Sequence, residues 1–67
     1  MTRLEAIRTR LRLTRGTVAA MSGISEQTLY LYETGKGGKS SVLIQRALAT
    51  TLETEPDKLF NDKGKPR

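Results

Sequence analysis

A hydroxyl-bearing residue stands just ahead of each long apolar run in this chain, and that punctuation restricts its fold more than any other feature. Thr2 precedes Leu4, Ile7 and Leu11; Thr14 precedes Val18 and Ala19; Ser25 precedes Leu29 and Tyr32; Ser40 or Ser41 precedes Val42, Ile44, Leu48, Ala49 and Leu52. A Ser or Thr hydroxyl at a helix start accepts from an amide that the first turn leaves unpartnered, and the apolar residues after each one recur at helical spacing. The spacing predicts helices over about 3–12, 15–22 and 26–34, and a fourth opening at Ser40 or Ser41 and using some of its five apolar positions. A last turn runs from Glu55-Pro56 to Leu59-Phe60, where proline suits the first helical position. Thr2 with Glu5 reads as a capping box, while Gly23 and Gly35 stop the second and third helices. Inside the second helix, either Met21 or Ser22 is expected to turn inward beside Val18 and Ala19. Nothing alternates with period two for long enough to be a strand. The expected fold class is all-α.

A chain of 67 residues has room for one small domain, placed here over 1–60, and buries only about 60% of the surface its unfolded form exposes. That leaves little room for an enclosed catalytic cleft. With no cysteine and no histidine, disulfides, thiol chemistry and the commonest zinc ligands are all missing. The carboxylates are scattered, so no acid–base or nucleophilic constellation can be assembled, and neither enzyme activity nor a cofactor is expected. No apolar run has the character of a signal peptide or the roughly 20-residue length of a membrane span, which gives a cytoplasmic, membrane-free expectation. The segment Asn-Asp-Lys-Gly-Lys-Pro-Arg at 61–67 has low complexity and is expected to be a flexible basic tail.

Charge narrows the class of partner. The net charge is +5 at pH 7 with a pI near 10.1; Arg3, Arg8, Arg10, Arg12 and Arg15 crowd the first fifteen residues, and Lys36 and Lys39 flank a glycine-rich loop. An acidic partner fits this balance, although a merely solvated basic helix face fits it too. Thr2 to Leu13 has too few large apolar residues for a membrane-surface helix. One Phe and two Tyr do not make a stacking surface for RNA.

The stretch Leu-Tyr-Leu-Tyr-Glu-Thr-Gly-Lys at 29–36 cannot bury all four of its large side chains on one helix face. Leu29 and Tyr32 share a side and are assigned to the core; Tyr30 and Leu31 are left facing outward. Ala19, Gly23 and Leu29 fall at the spacing of a helix-turn-helix, with a small residue where the helices cross and a glycine in the turn. A plain helical hairpin within a five-helix bundle has the same pattern.

At these positions the chain resembles the Cro/repressor-type (Xre-like) DNA-binding domains. The likeness runs from about Leu4 to Phe60 and rests on Leu13-Thr14, Val18-Ala19, Ser22-Gly23-Ile24-Ser25, Tyr32-Glu33-Thr34-Gly35-Lys36 and Pro56-Asp57-Lys58-Leu59-Phe60. The resemblance implies a compact five-helix, lambda-repressor-like domain whose third helix enters the major groove of double-stranded DNA while the second crosses the backbone. It also implies a partly buried Arg8–Glu33 ion pair that orients the third helix. Arg15 and Thr17 fall at the start of the second helix, where Arg15 would meet a phosphate. Ser25, Glu26, Gln27 and Thr28 fall where bases and nearby phosphates are reached. Gln27 suits adenine; Glu26 suits either cytosine N4 or simply the positive end of its own helix. Leu31 would touch a thymine methyl or else pack on the Gly37-Gly38 loop, and Tyr30 would donate to a phosphate or only lie on the surface. Lys36 and Lys39, with the amides of their loop, would meet phosphates. A homodimer on an inverted repeat is expected, with Leu52, Leu59 and Phe60 at its interface, or with Leu59 and Phe60 only closing the monomer core.

The chain departs from the family in two places. Its 35–39 loop holds three glycines and no proline before the fourth helix. Two alignments of that helix disagree by one residue and put Gln45 or Arg46 where leucine is common. The function implied is a transcriptional regulator, a repressor of phage, plasmid or mobile-element type. The alternative is a protein-interaction module on the same fold, an antitoxin or antiactivator with a protein partner. With no sensor domain expected after residue 60, control would come through concentration, a partner protein or competition for DNA.

Overall fold

A computed structural model describes residues 1–67. It contains five helices and no strand: α1 Arg3–Arg10, α2 Arg15–Ser22, α3 Glu26–Glu33, α4 Val42–Thr51 and α5 Pro56–Leu59. Each of the first four starts as its hydroxyl residue requires. Thr2, Thr14, Ser25 and Ser41 are extended, and each side-chain oxygen accepts from the amide three residues on, at Glu5, Thr17, Thr28 and Ile44. A cap of this kind is worth ~1 kcal/mol. Ser41, not Ser40, opens α4.

The helix ends share one device. Arg12, Gly23, Gly35 and Glu53 all have positive φ, between 58° and 75°. Around each, two amides turn back to the carbonyls of the last helical turn: Leu13 to Arg8, Ile24 to Ala19, Lys36 to Leu31 and Thr54 to Ala49 are the bonds of each pair that span five residues. Glycine was legible as the stop for α2 and α3. α1 and α4 make the same turn on an arginine and a glutamate, which is why α1 ends two residues short of the expected Arg12.

The core consists of Leu4, Val18, Ala19, Leu29, Tyr32, Leu48, Ala49, Leu52, Leu59 and Phe60, with Ile7, Leu13, Ile24 and Ile44 packed around it. Tyr32 and Phe60 meet edge to face, centroids 5.9 Å apart, a geometry that aromatic quadrupoles favour. One apolar expectation needs correcting, and two open alternatives are resolved. Leu11 is exposed, because α1 closes at Arg10 and the left-handed Arg12 delivers Leu13 to the core instead. Met21 is also exposed, and Ser22 is the inward residue, its hydroxyl donating to Thr51 Oγ1 at 3.1 Å. Val42 is outside; the inner face of α4 runs from Ile44 through Leu48 and Ala49 to Leu52. Gln45 is half-buried ahead of Leu48 and donates to Ser40 Oγ at 3.0 Å, whereas Arg46 is exposed.

Residues 61–67, expected to be a flexible tail, are folded back onto the domain. Ser40 donates to the Gly64 carbonyl through both its amide and its hydroxyl, at 3.0 and 2.7 Å. Arg67 donates its amide to Leu59 and accepts from the amide of Arg3, and Phe60 and Pro66 form an isolated antiparallel bridge. Composition reports the polarity of this segment but not its backbone partners, which lie on α1, α5 and the loop before α4. No helix is long and apolar enough to cross a membrane.

Candidate nucleic-acid interface

Three residues, Gly23, Ile24 and Ser25, join α2 to α3. Gly23 supplies the left-handed turn at φ 75°, half-buried Ile24 packs on the core, and Ser25 caps α3. Leu29 and Tyr32 then draw one face of α3 inward, and Glu33 follows them. Its side chain is fully buried. Arg8 grips it with two nitrogens, Nε to Oε2 and Nη2 to Oε1 at 3.0 Å, while Nη1 donates to the Leu13 carbonyl at 2.9 Å. Thr2 adds a hydroxyl bond to the Glu33 backbone carbonyl at 2.8 Å. The C-terminal end of α3 is thus held to α1 by side chain and backbone together.

Arg15 is the member that sequence spacing did not reveal. Its Nε donates to Glu33 Oε1 at 3.0 Å, and its guanidinium carbon lies 5.1 Å from the centroid of the Tyr30 ring. One edge of its guanidinium is committed to Glu33 and one face to Tyr30. The Glu33 hydrogen bond raises the Arg15 pKa, against a smaller opposing effect of desolvation and with help from the Coulombic pull of Glu33 and Glu5. No buried side-chain nitrogen or oxygen lacks a partner, so one carboxylate satisfies two guanidinium groups without leaving an orphan.

The outer face of α3 carries Glu26, Gln27, Tyr30 and Leu31, with Ser25 exposed at its start and Thr28 half-buried. Tyr30 and Leu31 are 41% and 36% exposed, the outward pair that helical geometry required. Thr17 is exposed one helix away, and its hydroxyl accepts from the Thr14 cap, as that of Thr28 does from Ser25. Glu26 is turned toward α2: a Cβ built on Gly16 would lie 3.3 Å from its Oε2. A carboxylate over the first turn of α2 is where the helix dipole favours it, which leaves Gln27 as the polar side chain of the first turn facing freely outward.

The glycine loop is less open than expected. The amides of Lys36 and Gly37 both donate to the Leu31 carbonyl at 2.9 Å, and the Ser40 amide is taken by Gly64. Gly37 lies against the Tyr32 ring and the Leu31 backbone: a Cβ there would come within 2.7 Å of the former and 3.4 Å of the latter. The amides of Gly35, Lys36 and Gly37 are therefore spent internally, while those of Gly38 and Lys39 have no partner within the chain and stand beside the exposed side chains of Lys36 and Lys39. Leu52, Leu59 and Phe60 are at most 2% exposed. They close the monomer core and are not available as a dimer contact.

No group of His, Cys, Asp or Glu side chains is arranged to hold a metal ion. No family model, curated protein or solved structure matches the chain.

Proposed function

We propose that this chain is a small sequence-specific regulator of transcription that binds double-stranded DNA, acting as a repressor by occupying a promoter. On this reading the domain is lambda-repressor-like, α2 and α3 are its helix-turn-helix, α3 enters the major groove and Arg15, Lys36 and Lys39 meet phosphates. The observation that carries it is the division of α3 into two faces. Leu29, Tyr32 and Glu33 hold the inner one immobile, while Gln27, Tyr30 and Leu31 stand outward on a chain of net charge +5. A rigid helix with an uncommitted amide can read base edges, because recognition needs donors and acceptors held in register. Two copies on an inverted repeat would meet through surfaces other than Leu52, Leu59 and Phe60.

The test is an amide-shift map of isotopically labelled protein titrated with a mixed-sequence duplex. Shifts should centre on Arg15 to Thr17, Ser25 to Leu31 and Lys36 to Lys39. A map centred on any other surface contradicts the assignment.

The exposed Tyr30–Leu31 pair also favours a second reading, in which α3 contacts a protein, as in an antitoxin or antiactivator. In that case the duplex map would stay diffuse.

A further inference from the structure

The larger of the two surface grooves, about 540 Å³, draws no residue from α2, α3 or the glycine loop. Its wall is Arg3, Ala6, Ile7 and Arg10 of α1, faced by Thr54 and by Lys58 of α5. Positions 3, 6, 7 and 10 fall on a single helical stripe, with the two arginines at its ends and the small apolar pair between. Glu5 of α1 is not part of the wall. No carboxylate lines the groove, and the chain's ion pairs, both made on Glu33, leave Arg3, Arg10 and Lys58 unpaired. Three cations without a carboxylate partner thus border an apolar floor.

We infer that this groove docks an acidic peptide segment of a partner protein, seating one apolar side chain on Ala6 and Ile7 between carboxylates that pair with Arg3, Arg10 and Lys58. Charge complementarity selects an anionic occupant, and the apolar floor selects a peptide over a duplex. A phosphate backbone has no apolar group to place on Ile7, and the convex surface of a duplex does not enter a concave groove. The site is separate from α3 and stands whether or not α3 binds DNA.

The test is fluorescence anisotropy with a labelled, end-blocked peptide Asp-Glu-Asp-Leu-Glu-Asp at moderate salt, against the intact chain and the double variant Arg10→Glu with Lys58→Glu. Both substitutions are at exposed positions, and thermal unfolding checks that the variant stays folded. Saturable binding is expected, weakened at least about tenfold by the two charge reversals, weakened several-fold when the peptide leucine becomes glycine, and unchanged by Gln27→Ala. Absence of binding overturns the inference, as does binding that ignores the charge reversals. Equal binding of the leucine-free peptide reduces the groove to a general field and also overturns it. Displacement of the peptide by a mixed-sequence duplex sensitive to the same two reversals would reassign the groove to nucleic acid.

Discussion

At the scale of single residues, Gln27 and Arg15 divide the proposed labour between reading and holding. Gln27 is exposed on the first turn of α3 and its amide has no partner within the chain. Replacing it by alanine should cut discrimination between operator variants by ~1–3 kcal/mol at one base pair; a uniform loss on all sequences would remove its role. Arg15 spends its Nε on Glu33, leaving its remaining donors for a phosphate. Arg15→Gln should weaken all duplexes alike and lower the salt slope by about one. An unchanged slope would make Arg15 a purely internal residue.

Glu33 carries a heavier load than either arginine beside it. Removing it strands Arg8, itself nearly buried, at a cost of ~3–5 kcal/mol. Against the roughly 3–10 kcal/mol total expected for a chain of this size, that is a large share. Arg8→Ala should cost less, because Arg15 still pairs with the carboxylate. Urea unfolding followed by circular dichroism separates the two; equal losses below about 1 kcal/mol would show that the cluster does not anchor α3.

At the scale of elements, the starts and stops of the helices explain both what was legible and what was hidden. Glu53 ends α4 at φ 58°, where a side chain is strained and glycine is not. Glu53→Gly should therefore stabilise the chain by ~0.5–1 kcal/mol in the same unfolding experiment; destabilisation would mean that the glutamate side chain contributes more than the backbone strain costs. Helix starts could be read because a hydroxyl cap and the amide it serves are three residues apart. Leu29 and Tyr32 could be placed inward because helical spacing is local too. Leu11 is misplaced for the converse reason: it lies just past the end of α1, where the chain's exit, not the helix period, decides its direction. Arg15 and Glu33, eighteen residues apart, and Ser40 and Gly64, twenty-four apart, are joined by tertiary folding that no local spacing encodes.

For the whole molecule, the ten buried apolar residues and the folded-back 61–67 segment form one body that holds α3 from behind. The side chains expected at a dimer interface are used up in that body, so on the proposed reading any pairing of two copies is imposed by DNA or made through surfaces outside the core. The most direct measurement is selection of bound duplexes from a random pool at near-physiological salt, followed by sequencing. Enrichment of an inverted repeat, with the half-site changed by substitution at Gln27, is the result predicted. A folded helical protein that enriches no sequence would contradict the account and transfer the outer face of α3 to a protein partner.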